Sequence, residues 1–133
     1  MSQENVEIVR RGYEGFNRGD QDAMVADVAP TFEYVGTGAV AGFPGNFQGA
    51  EGWVEAVSWL RDEFVDARVE IRELVEGEDK VLARLTLHGR GKRSGADVTW
   101  DMWHLWTFRD RKVVRGQGFM SREEAFKAAE LPG

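Results

Sequence analysis

The chain has 133 residues, no cysteine, two histidines, and 17 basic against 23 acidic side chains for a formal charge of -6. This length suits a single domain over 1–133 whose core needs no covalent staple, and the lack of cysteine excludes disulfides, thiolate nucleophiles and cysteine-held metal centres. The acidic balance argues against nucleic acid as a partner. No apolar run nears the roughly 18 residues that cross a bilayer, and the start Met1-Ser2-Gln3-Glu4-Asn5 carries no basic or apolar targeting segment. The expectation is a cytoplasmic protein with no membrane contact.

A first helix is predicted over Gln3–Phe16, because Val6, Val9, Tyr13 and Phe16 recur at spacings of three and four and make one apolar stripe. Gly12 and Gly15 weaken that helix intrinsically, and both can admit the close approach of another element. Gly19 suits the left-handed end of this helix, and Asp20 can cap a second one running to about Asp27. Pro30 stops it, and a short strand follows over Thr31–Val35 with Phe32 and Tyr34 on one side. Gly36–Gly49 reads as a long glycine-rich loop tethered by Phe43 and Phe47. A third helix is expected over Ala50–Phe64, with Trp53, Val57, Leu60 and Phe64 as its inner stripe.

The second half changes period. Ala67, Val69, Ile71 and Val75 alternate with Arg68, Glu70 and Arg72, and Val81, Ala83, Leu85 and Leu87 face inward on the next strand. A polar hairpin over Gly89–Gly95, with the basic cluster His88–Arg93, reverses the chain into Thr99–Phe108. That strand puts Trp100, Met102, His104, Trp106 and Phe108 on one face and Asp101, Trp103, Leu105 and Thr107 on the other. With bulky apolar groups on both faces, it must line a core or cavity on one side and meet a second layer or a partner chain on the other. Lys112–Met120 returns as the last strand, where Gly116 and Gly118 share a face; they mark either bends or room for a ligand. Ser121 and Glu124 form a capping-box pattern for a short last helix.

The elements describe an α+β fold: three N-terminal helices packed against a strongly curved, mainly antiparallel sheet, with a short C-terminal helix. In detail the chain resembles the SnoaL-like branch of the NTF2-like superfamily. The likeness lies in the run Asn5 to Asp20, in Phe47-Gln48-Gly49-Ala50-Glu51-Gly52, in the run His104 to Arg115, and in Ser121-Arg122-Glu123-Glu124-Ala125. It implies a cone-shaped α+β barrel with a deep pocket between helices and sheet, and a homodimer formed through the outer sheet face. Members include isomerases, cyclases, hydrolases, dehydratases and noncatalytic adaptors, so the fold narrows the activity little.

The resemblance to the steroid isomerases puts their helix tyrosine at Gly12, their base at or near Tyr34 and their second acid at His104, so two of the three roles lack the needed group. Polyketide cyclases of this type imply an acid with histidines, which points to Asp101 and His104. The residue pattern opposes that pair, since the two have opposite parity unless a bulge intervenes.

His104 is the candidate catalytic acid or base; its alternative is a neutral histidine satisfied by Tyr13, Tyr34 or the backbone. The expected pocket for a small apolar or aromatic ligand comprises Tyr13, Phe16, Phe32, Tyr34, Trp53, Trp100, Met102, Trp106, Gly116 and Gly118. Asp101, Trp103 and Leu105 are the expected dimer interface, with Arg84 or Arg68 pairing to Asp101 and Leu74 beside them. Glu33 and Glu55 read as surface acids. Two histidines and no dense donor cluster leave no metal site expected, and no phosphate-binding glycine motif leaves no cofactor expected. The functional readings are a ligand-binding protein, a cofactor-independent isomerase, cyclase, dehydratase or hydrolase, and a noncatalytic dimeric accessory domain.

Overall fold

The computed structural model describes residues 2–36 and 45–131; Phe43, expected to tether the glycine-rich loop, lies outside them. The elements in chain order are α1 (Ser2–Arg18), α2 (Gln21–Val25), β1 (Val28–Val35), β2 (Phe47–Gln48), α3 (Gly49–Glu63), β3 (Phe64–Gly77), β4 (Lys80–Gly91), β5 (Asp97–Arg109), β6 (Lys112–Phe119) and α4 (Arg122–Ala129). Among these described residues, no helix is long and apolar enough to cross a membrane.

Local chemistry sets the boundaries. Gly19 takes φ +73 after α1, and the Asp20 carboxylate accepts from the Ala23 amide at 3.1 Å to start α2. Ser121 caps α4, with the Glu124 amide donating to Ser121 Oγ at 3.1 Å and the Ser121 hydroxyl donating to Glu124 Oε1 at 3.2 Å. Phe64, expected on the inner stripe of the third helix, instead has extended backbone and opens β3. The Lys92 amide donates to the Glu63 carbonyl, tying the end of α3 to the β4–β5 hairpin. His88 and Gly89 lie within β4, so the polar hairpin is shorter than expected.

The six strands form one sheet in the order β2-β1-β6-β5-β4-β3. Strands β3 to β6 are an antiparallel meander, while β1 joins β6 in parallel. Pro30 lies within β1, where the pairing with β6 shifts register between Val28 and Glu33; proline brings no amide to a ladder. The expectation of a cone-shaped barrel made from a strongly curved sheet is corrected by this order: β2 and β3 are separate edges, and the sheet is open. At the β3 edge a side chain stands where a further strand would pair. Asn17 Nδ2 donates to the Val69 carbonyl at 2.9 Å, and the Val69 amide donates to Asn17 Oδ1 at 2.8 Å, which blunts the exposed ladder. The expected block of three N-terminal helices is corrected as well. Only α1 and the five-residue α2 precede β1, and α3 follows β2.

Two apolar clusters lie on opposite faces of the sheet. The larger, between sheet and helices α1 to α3, holds Val9, Tyr13, Phe16, Phe32, Val57, Met102 and Trp106. The smaller packs Leu82, Trp103, Leu105 and Phe119 under Ala125, Phe126 and Ala129 of α4. Strand β3 changes face between them. A register shift between Ile71 and Glu73 sends Leu74 to the larger cluster and Val75 to the smaller. This reverses the faces expected from simple alternation, because one inserted residue inverts every side chain beyond it.

Candidate functional site

Strand β5 pairs with β4 without a break from Arg90–Asp97 to Lys80–Thr107, so no bulge brings Asp101 beside His104. Asp101 lies exposed on the outer face, where it accepts from the Thr86 hydroxyl at 2.7 Å and pairs with Arg84 at 3.9 Å. Trp103 and Leu105, expected in a dimer interface, are 5% and 2% exposed in the single chain. The ring of Phe126 meets Trp103 edge-on at 5.5 Å, and the Arg122 guanidinium sits 4.2 Å over Phe126. The second layer required by this face is therefore supplied by α4 of the same chain.

The inner face of β5 meets a cavity of about 110 Å³ between α1, α3 and the sheet. Its wall includes Tyr13 and Phe16 from α1, Phe32 and Tyr34 from β1, Trp53 from α3, and Met102, His104 and Trp106 from β5. The rings interlock. Trp53 lies 5.3 Å from Tyr34 and 5.5 Å from Trp106, and Trp106 lies 5.2 Å from His104. Helical period on α1 and α3 and strand period on β1 and β5 aim all of these groups at one volume.

Trp100, Gly116 and Gly118 stand elsewhere. Trp100 is half-buried and packs edge-on against Phe64 at 5.4 Å, with its indole N–H buried and without a hydrogen-bond partner. A Cβ on Gly116 would come within 2.5 Å of the Trp106 ring and 3.1 Å of Tyr34. The glycine thus makes room for the indole itself. Gly118 is buried directly opposite His104 in the β5–β6 pairing.

Four polar groups meet at the inner wall. Trp106 Nε1 donates to the Tyr13 hydroxyl oxygen at 2.7 Å, and that hydroxyl lies 2.8 Å from His104 Nδ1. Tyr34 Oη lies 3.3 Å from His104 Nε2. An indole can only donate, so the Tyr13 oxygen accepts from it and its single proton is satisfied only by donating to Nδ1. The neutral imidazole then carries its proton on Nε2 and donates it to Tyr34. Burial pushes the His104 pKa down to about 4 and raises both tyrosines above the ordinary phenol value. At neutral pH the cluster is uncharged, with both imidazole nitrogens engaged by phenols.

Several wall residues fall outside the expected set: Ile8 and Gly12 on α1, Met24 on α2, and Asp27 and Val28 just beyond it. Asp27 pairs with Arg11 of α1 at 3.6 Å. The spacing of Ile8 and Gly12 was the available signal, since they share a helix face. The other acids considered from the sequence lie apart: Glu33 pairs with Arg115 on a half-exposed strand surface, and Glu55 is exposed. His88 bonds to Glu70 at 3.1 Å and is not part of the cavity wall. Among the described residues, no group of three or more histidines and acids is placed to hold a metal ion.

Residues 9–116 match the SnoaL-like domain model. No curated protein matches the chain. Among solved structures, an NTF2-like protein of unknown function from Burkholderia pseudomallei K96243 superposes with a TM-score of 0.80 at 20% identity, covering 93% of this chain and 95% of that one. TerC, co-crystallised with polyporic acid, gives 0.78 at 26% identity over 96% and 98% of the two chains. An NTF2-like protein from Burkholderia thailandensis E264 gives 0.76, also at 26% identity, over 95% and 96%. The family match covers most of the length, and the chain belongs to the SnoaL-like family within the NTF2-like superfamily.

Proposed function

We propose that this protein binds a small organic molecule, mainly apolar or aromatic, in the cavity beneath β5. The observation that carries this reading is an apolar, ring-lined space of about 110 Å³ whose wall bears one uncharged polar cluster, Tyr13–His104–Tyr34. An apolar cavity of roughly 150 Å³ in a protein core stays dry and takes up benzene, so this volume suits about one ring. Such a site holds an apolar body and orients it through a few placed polar groups. The likeness to TerC, a protein co-crystallised with polyporic acid, supports a small-molecule ligand.

The same geometry supports an orienting role for His104 over proton abstraction. A base with a pKa of about 4 is far from the neutral range in which general bases work best, and both of its nitrogens are already engaged. A hydroxyl of the ligand would be positioned by a phenol oxygen, with the imidazole holding the two phenols in place.

Titration with phenol, followed by tryptophan emission, tests the reading because Trp53 and Trp106 lie in the wall. A saturable change is expected, and Ala56→Leu, which fills the space from α3, should weaken it at least fivefold. Quenching that rises linearly and equals that of the urea-unfolded chain would contradict it.

A further inference from the structure

The two glycines of α1 differ in their surroundings. A Cβ on Gly15 would stand 2.9 Å from the Ala23 side chain and 3.2 Å from the Asp20 carbonyl, so that glycine is needed where α2 packs on α1. A Cβ on Gly12 would meet nothing within 4 Å, although Gly12 lines the cavity. A glycine inside a helix weakens it relative to alanine, and at Gly12 no packing contact requires it. What its missing side chain leaves is open space.

The cavity and a surface groove share part of their wall. Ile8 and Asp27 line the cavity, and both also line a surface groove of about 690 Å³ with Glu4, Glu7, Arg11 and Lys112. Ile8 and Asp27 thus stand in both walls, with Gly12 on the cavity side. The Arg11–Asp27 pair lies at this shared wall, with side chains 61% and 31% exposed; an ion pair so open to water holds a gap weakly.

Resting on the ligand-binding reading above, we infer that the ligand is elongated, with a ring in the cavity and a tail passing Gly12 into the groove, and that Gly12 sets the width of the tail's passage. The cavity alone accommodates about one ring. Anything longer, anchored at the Tyr13–His104–Tyr34 cluster, has the groove beyond Ile8 and Asp27 in which to lie.

Phenol and 4-hexylphenol are the probes, titrated against the wild type and Gly12→Leu, with circular dichroism as the check on folding. The wild type should bind 4-hexylphenol at least tenfold more tightly than phenol. Gly12→Leu should cut that advantage at least fivefold, read as the ratio of the two affinities within the variant. In the wild type, amide resonances of Glu7 and Lys112, which line the groove and not the cavity, should shift with 4-hexylphenol and stay in place with phenol, a readout independent of how the variant folds. If phenol binds but the hexyl chain adds nothing, or leaves Glu7 and Lys112 unshifted, the passage is overturned and the ring site stands. If neither probe binds the wild type, the ligand-binding reading itself fails and the passage falls with it.

Discussion

The Tyr13 hydroxyl lies 2.8 Å from His104 Nδ1, joining the first helix to the centre of the sheet across 91 positions of sequence. It also receives the Trp106 indole N–H at 2.7 Å, so one phenol oxygen satisfies two buried partners. Tyr13→Phe strands both. Leaving a buried donor or acceptor unpaired costs about 1–3 kcal/mol each, and the variant should lose about 2–4 kcal/mol by urea unfolding. Tyr34→Phe, which removes the longer 3.3 Å contact to Nε2, should lose less. Equal losses, or a Tyr13→Phe loss below about 1 kcal/mol, would show that the cluster contributes only packing.

The buried imidazole also sets a pH dependence. Its folded pKa of about 4 lies below the ordinary 6.5, so the folded state binds the proton less readily than the unfolded chain. The contribution is full above about pH 6.5, declines as the pH falls towards 4, and is gone below it. The difference corresponds to about 3 kcal/mol at one proton. Urea midpoints of the wild type and His104→Phe, measured from pH 7 to pH 4, should converge as the pH falls, because the variant lacks this titration. Parallel curves would place the His104 proton uptake outside the folding equilibrium.

At the β3 edge, Asn17 makes both an accepting and a donating bond with the backbone of Val69. Replacing it with alanine removes two bonds worth about 1 kcal/mol each and uncovers a stretch of unpaired ladder. Asn17→Ala should lose about 2 kcal/mol and show faster amide exchange at Val69. Unchanged exchange there would mean that the edge is protected by other contacts.

On the opposite face, Phe126 of α4 covers Trp103. Phe126→Ala should cost about 3–5 kcal/mol, the usual range for emptying a buried ring site. Removal of α4 after Met120 should expose Trp103, Leu105 and Phe119 and drive self-association, read as an increase in mass by light scattering relative to the intact chain. An intact-like mass with unchanged Trp103 emission would show that α4 is dispensable to this face.

Much of the cavity wall is legible in the sequence because two simple periods carry it. The 3.6-residue repeat puts Tyr13 and Phe16 on one side of α1, and the two-residue repeat puts Met102, His104 and Trp106 on one side of β5. The parity that separates Asp101 from His104 is equally plain, and the unbroken β4–β5 register preserves it. What periodicity hides is any local change of register. Nothing in the run around Arg72 announces the shift that exchanges the faces of Leu74 and Val75.

Tertiary destinations are hidden for a different reason. The capping box declares that α4 exists, while its place over Trp103 depends on contacts between segments distant in sequence. Glycines are ambiguous in the same way. Gly116 admits Trp106, Gly15 admits α2, and Gly12 admits nothing, yet the three are the same letter. The sheet's openness likewise turns on how its edges are met, and a single asparagine on α1 is bonded to one of them.

The most direct measurement follows the five indole N–H resonances and the His104 ring signals while phenol is titrated into labelled protein. Saturable shifts of Trp53, Trp106 and His104 with one common dissociation constant, while Trp103 beneath α4 stays in place, are the expected result. Shifts that never saturate, or that centre on Trp103, would contradict a ligand site beneath the inner face of β5.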